Sequence, residues 1–206
     1  MTLSAPPEGR LPPDVHRSLG LNALLDAVRV GHDYTVLDLG PALEENVRFW
    51  SQISCRLYIL DLYRSCQEQK AAAAPGGDFL ERALDAALPV GDEMAFDFIL
   101  AWDLFNYFHP QELEALVRRL NRRCSPGARL LAMISSQPEL PASPRLFRIL
   151  NRQQVTCETP TRATRPCPRY APRDIIRLMA RFTVSSSFLL HRGVWEYVFE
   201  FSSPAV

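Results

Sequence analysis

Lysine is almost missing from this 206-residue chain, where Lys70 is the only one among 23 basic residues. An excess of charge of either sign is missing too. The 23 basic residues face 23 acidic ones and the formal net charge is zero, which argues against bulk attraction to nucleic acid or to an anionic membrane surface. No apolar run approaches the ~20 residues that a spanning helix needs. The N-terminus has neither a basic start nor an apolar stretch, so no secretory signal is expected. The five cysteines (Cys55, Cys66, Cys124, Cys157 and Cys167) form no CxxC pair and no Cys/His cluster, which speaks against a zinc site. Their odd number suits idle thiols in a reducing compartment, the cytoplasm. Pairing of Cys157 with Cys167 is the alternative.

What is present is ordinary globular material, 47% hydrophobic and 22% charged, in a length that suits one domain. Residues 1–13 are proline-rich and expected to be a flexible segment ahead of a domain at 14–206. Asp14 is placed to cap a helix whose apolar positions Val15, Leu19, Leu24, Leu25 and Val28 recur at helical spacing before Gly31. Tyr34 to Gly40 then reads as a strand buried on both faces, followed by a helix with Val47 and Trp50 inward. Arg56–Leu62 and Phe96–Trp102 are strands of the same kind. Between them, Phe79–Leu88 reads as a short helix and a third strand is minimal at best. His109-Pro110 opens an amphipathic helix carrying Leu113, Leu116, Val117 and Leu120, and Ser125-Pro126-Gly127 turns the chain into a strand at Ala128–Ile134.

Strands alternating with helices predict a doubly wound, mostly parallel α/β sheet of seven strands, or six if the weak one is absent. The last third breaks the pattern. Residues 138–171 are rich in proline, with a short helical segment expected around Leu146–Leu150, and form a lid-like insert. A helix at Pro172–Ala180 precedes two long strands, Phe182–Leu190 and Trp195–Phe201, whose link is too short for anything but an antiparallel hairpin.

Five pieces in order resemble the class I S-adenosylmethionine-dependent methyltransferases, whose Rossmann-like sheet ends in such a hairpin. They are Val36-Leu37-Asp38-Leu39-Gly40, Asp61 at the next strand tip, Phe96 to Asp103, Leu116 to Ile134 around Ser125-Pro126-Gly127, and Tyr170 to Asp174. The resemblance covers residues 14–202 and implies S-adenosylmethionine as cofactor, held by Asp38, Gly40 and Ala42 after the first strand and by Asp61 and Leu62 after the second. Asp78 and Phe79 are placed to read the adenine, and Trp102 to close the site at the fourth strand. Asp61 follows Gly40 by 21 residues, close to the ~20 expected of a ribose-binding acid after a glycine turn. The plain alternatives are that Asp38 and Asp61 bind turn backbone and that Asp78 caps a helix.

The chain also departs from that pattern. The family spaces two or three glycines after its first strand, whereas this chain reads Gly40-Pro41-Ala42-Leu43-Glu44-Glu45-Asn46. Pro41 removes a backbone donor, and Glu44 is expected to push a carboxylate where the ligand's methionine part should lie. Two readings result: a rearranged loop, with Asn46 helping, or a lapsed site on a persisting fold. Candidate catalytic groups follow the fourth strand, namely Asp103, Tyr107 and His109, with His109 as readily a plain helix boundary. Seven arginines of the insert region, among them Arg145, Arg148 and Arg165, suit an acidic acceptor, a phosphate or RNA, or form a solvated face. The expected activity is therefore methyl transfer to a small or acidic acceptor. The alternative is a catalytically silent domain that binds a protein partner, and a nucleotide-sugar or nicotinamide enzyme is disfavoured by the terminal hairpin.

Overall fold

The computed structural model describes residues 14–72, 82–83, 94–190 and 193–202. Residues 1–13, the expected helix at 79–88 (apart from Arg82 and Ala83), the minimal third strand, Asp78 and Phe79 lie outside the described residues.

Six strands build the main sheet: β2 (Tyr34–Asp38), β3 (Cys55–Ile59), β4 (Phe96–Trp102), β5 (Cys124–Ser135), β10 (Phe182–Leu189) and β11 (Val194–Phe201). Their order is β10-β11-β5-β4-β2-β3. β2 pairs in parallel with both β3 and β4, and β4 with β5, whereas β11 runs antiparallel to β5 and β10 antiparallel to β11. The chain thus leaves β2 for β3 on one side and later returns to β4 on the other. That makes the carboxyl ends of β2 and β4 the topological switch point, where ligands of open α/β sheets bind.

Both faces of the sheet are buried, as near-continuous apolar strands require. Leu37, Ile99 and Leu130 face a layer made by α3 (Leu62–Ala72), α4 (Pro110–Asn121) and α5 (Pro172–Leu178). Val36, Phe98 and Leu131 face α1 (Leu19–Leu25), α2 (Glu44–Trp50) and part of the insert. No helix among the described residues is long and apolar enough to cross a membrane.

The first helix differs from expectation. Asp14–Arg17 is a strand, β1, and Ser18 caps the helix, its hydroxyl accepting from the Leu21 N–H at 3.0 Å. The reason is a partner far away: β1 pairs with β8 (Gln154–Glu158) of the insert, leaving Val15 exposed. Behind this start lies the fully buried Glu196 of β11, which accepts from the Ser18 hydroxyl at 2.6 Å and the Gly20 N–H at 2.7 Å.

The insert is a sheet, not a helix. β7 (Leu146–Asn151), where a helical segment was expected, pairs antiparallel with β8, giving a three-stranded sheet in the order β1-β8-β7. A second small ladder joins β6 (Glu139–Pro141) to β9 (Thr164–Pro166). The turn Ser125-Pro126-Gly127 sits inside β5, with Gly127 at φ 77° and the register against β4 shifted there. On α2 the buried side chains are Asn46, Phe49 and Trp50, and Val47 faces solvent instead of the core.

Candidate functional site

At the switch point a cavity of about 170 Å³ is lined by Gly40 and Pro41 after β2, Asp61 after β3, Trp102 and Asp103 at the end of β4, and Ser143 to Leu146 of the insert. Four of the residues that the sequence marks, Gly40, Asp61, Trp102 and Asp103, therefore meet in one place. Asp61 also caps α3 by accepting from the Arg64 N–H at 3.1 Å, so its plain role and its cavity-lining position coexist.

Asp38 lies behind this cavity, buried, with its carboxylate used by the protein itself. Oδ1 accepts from the Gly40 N–H at 2.9 Å and from the Trp102 indole N–H at 2.8 Å, and Oδ2 accepts from the Asn46 amide at 3.4 Å. Burial raises its pKa to about 6 against the lowering effect of these three donors. Gly40 is needed for close approach, since a Cβ there lies 3.2 Å from both Asp38 Oδ1 and Trp102 Cδ1. The neighbour that exploits the missing side chain is Trp102.

Trp102 holds a left-handed backbone at φ 50°, which is a costly conformation for a bulky residue and is tolerated only where packing dictates it. Its indole stacks on Phe147 of β7 at a centroid distance of 5.2 Å and an interplanar angle of 4°. Asn46 fixes that strand from below, donating to the Phe147 carbonyl at 3.0 Å and accepting from the Ile149 N–H at 2.8 Å. Two more bonds hold the insert down: the Tyr63 hydroxyl donates to the Ala142 carbonyl at 3.0 Å, and the Tyr107 hydroxyl to the Ser143 carbonyl at 2.9 Å. Phe147, Tyr63 and the latching use of Asn46 carry no local sequence signal, because each depends on contacts across the fold.

Glu44 does not obstruct the site. It points to solvent from the first turn of α2 and pairs with Arg48 one turn on. The cavity is narrowed instead by Trp102, which Phe147 backs, and by Ser143 to Leu146 of the insert. Ala42 is exposed and away from the cavity lining, and Leu62 is a core residue of α3.

Asp103 is buried, and its pKa is raised to about 6 by burial, moderated by Arg145. Its Oδ2 accepts from the Arg145 backbone N–H at 3.3 Å and from Arg145 Nη1 at 3.4 Å, whereas Oδ1 has no hydrogen-bond partner. Tyr107 is buried beneath the insert, its pKa pushed up by burial and by Asp103, which removes it as a base near neutrality. His109 is exposed at the start of α4, where its N–H donates to Glu112 at 2.7 Å, and it lines a separate surface hollow with Tyr170 and Asp174. Several arginines of the insert are engaged internally: Arg148 bridges Glu158 at 2.7 Å and Glu45 at 3.4 Å, Arg152 donates to the Leu25 carbonyl, and Arg165 lies over the Tyr107 ring, whereas Arg162, Arg169 and Arg173 are exposed. All five cysteines are free, including Cys157 and Cys167. No group of metal-ligating side chains occurs among the described residues.

No family model matches the chain, and no curated protein matches its sequence. Solved structures do match. The PH0226 protein of Pyrococcus horikoshii OT3 is 12% identical with a TM-score of 0.53, over 87% of this chain and 86% of that one. A protein of echinomycin biosynthesis, described by its conversion of a disulfide bond into a thioacetal group, is 17% identical with a TM-score of 0.51, over 91% and 82%. The Burkholderia thailandensis 1,6-didemethyltoxoflavin-N1-methyltransferase, solved with S-adenosylhomocysteine, is 16% identical with a TM-score of 0.49, over 90% and 78%. At such identities the likeness is one of α/β fold alone.

Proposed function

We propose that this chain binds an S-adenosyl ligand at the switch-point cavity and transfers a methyl group to a small acceptor. One observation carries the reading: Gly40 and Asp61 line the same cavity at the tips of neighbouring parallel strands. A carboxylate at Asp61 accepts hydrogen bonds from two vicinal ribose hydroxyls, and the backbone at Gly40 and Pro41 borders the rest of the ligand. S-adenosylmethionine, when bound, supplies the electrophilic methyl group. The protein's share is to orient the acceptor and exclude water, tasks for which Asp103, the buried Tyr107 and the seated insert are suited.

The donor set fits the ligand, but the volume does not with the insert as it stands. Ligand sites enclose roughly 300–1,000 Å³, and this cavity holds about 170 Å³. Entry therefore requires Phe147 and the Ser143–Leu146 segment to lift away. Calorimetric titration of the whole chain with S-adenosylhomocysteine tests the reading: micromolar binding supports it, together with a loss of about tenfold or more in Asp61→Asn, which keeps an acceptor for the α3 cap. The free thiols suit the cytoplasm as the setting.

A second reading draws on the Trp102–Phe147 stack. Side chains that fill the space over Gly40 are what a silent domain with a protein partner would retain. No binding at millimolar S-adenosylhomocysteine, in either the wild type or Phe147→Ala, leaves that reading standing alone.

A further inference from the structure

We infer that Arg145 occupies the place of a cationic group on the acceptor, and that Asp103 selects a compact amine or guanidinium over an acid. The inference rests on reading the cavity as a methyl-transfer site, but cation binding is measurable without any S-adenosyl ligand.

Asp103 is only 2% exposed and lines the cavity. Its partnership with Arg145 is poor. A guanidinium usually grips a carboxylate through two parallel bonds of roughly 2.7–2.9 Å. Here a single side-chain nitrogen reaches one oxygen at 3.4 Å, and the other oxygen is bare. An unsatisfied acceptor on a buried acid is costly, and an N–H or O–H donor, or a proton on the carboxyl group itself, relieves it. Arg145 is the replaceable member of the pair. Its side chain is 26% exposed at the cavity rim, whereas that of Asp103 is 3% exposed at the end of a central strand.

The surroundings disfavour an acidic acceptor. A third carboxylate in so small a space would meet both Asp61 and Asp103. Arg64, the remaining cation on the lining, is drawn to Glu68 at 2.9 Å. Arg148 is held by Glu45 and Glu158. A small cation with two N–H groups is complementary to Asp103 once Arg145 turns to solvent and uncovers the buried Oδ1.

The test titrates methylguanidinium chloride, with sodium acetate as the anionic counterpart, into the whole chain by calorimetry. Arg145→Ala is expected to bind methylguanidinium at least tenfold more tightly than the wild type and than Arg145→Ala/Asp103→Asn, with no heat from acetate. Equal affinity with and without Asp103, or acetate binding as strong as methylguanidinium, overturns the inference. Should Arg145→Ala fail to fold, Arg145→Met keeps an apolar stem without a charge or an N–H donor and is read by the same criterion. Titration with S-adenosylhomocysteine separates the two claims. Asp103-dependent cation binding in a chain that ignores S-adenosylhomocysteine removes the methyl-transfer reading alone. Tight S-adenosylhomocysteine binding without cation binding removes only the role given to Asp103.

Discussion

Trp102 donates its indole hydrogen to Asp38 at 2.8 Å, joining the tips of two adjacent parallel strands through side chains 64 residues apart in sequence. This bond sets the tryptophan in the wall of the switch-point cavity. It also accounts for the left-handed backbone at position 102, since the same ring must reach Asp38 and stack on Phe147. Trp102→Phe keeps the stack and removes the donor. It is expected to cost about 1.5–3 kcal/mol, the range for a hydrogen bond to a charged group, with the Gly40 N–H still on the same oxygen, read by urea denaturation. A loss near zero would mean that water or a neighbour replaces the indole.

Asn46 is the latch between the core domain and the insert. Its side chain satisfies the Phe147 carbonyl and the Ile149 N–H and touches Asp38 as well. Asn46→Ala strands both backbone groups of β7. Amide hydrogen exchange is expected to quicken at least tenfold over residues 146–151, with β4 unaffected. Equal protection of β7 in the variant would place the hold of the insert elsewhere, on Tyr63 and Tyr107.

The elements that the sequence made legible are those whose signal is local. Val36, Leu37 and Leu39 are broken only by Asp38 at the strand tip, Phe98 to Leu100 are apolar without interruption, and such runs are strands only when both faces are covered, as they are here. The 21-residue step from Gly40 to Asp61 needed no long-range knowledge either, because it spans one strand–helix–strand unit. The insert was illegible for the opposite reason. In Leu146-Phe147-Arg148-Ile149-Leu150 the apolar residues fit a helical and an extended period equally well, and only pairing with β8 decides between them. Asp14–Arg17 took a strand from the same remote partner. Glu44 was read as an obstacle from its place in the loop pattern, yet the helix begins at that residue and carries its side chain outward.

Glu196 anchors the start of α1 from β11, the strand next to the sheet edge. With no exposed surface, it accepts from the Ser18 hydroxyl and the Gly20 N–H, two donors that the helix cannot satisfy itself. Glu196→Ala is expected to destabilise the chain by roughly 2–4 kcal/mol, combining a cavity with two stranded donors. Gly20→Ala tests the same packing from the other side, since a Cβ there meets Leu131 Cδ1 at 2.8 Å and Glu196 Cβ at 3.0 Å. Overpacking costs about 1–3 kcal/mol. Thermal or urea unfolding measures both, and a Gly20→Ala as stable as the wild type would show that α1 can shift freely over the sheet.

Asp38 and Asp103 give the chain an unusual acid dependence. Each has a pKa near 6 in the folded state against an ordinary 3.8, because burial outweighs the donors around it. Between those two values the folded protein binds protons that the unfolded chain has released. Stability from these groups is therefore full below pH 3.8 and is lost as the pH rises through about 6. A displacement of this size corresponds to about 3 kcal/mol for each acid, as an order of magnitude. Asp103→Asn removes one of the two contributions, the attraction of Arg145 for the ionised acid being already part of its pKa near 6. The stability of the variant relative to wild type is thus expected to climb from pH 4 to pH 6 and to level off by pH 7, measured by urea denaturation at each pH. A gap that is flat or narrows in the opposite direction would mean that Arg145, not burial, governs the carboxyl group at the end of β4.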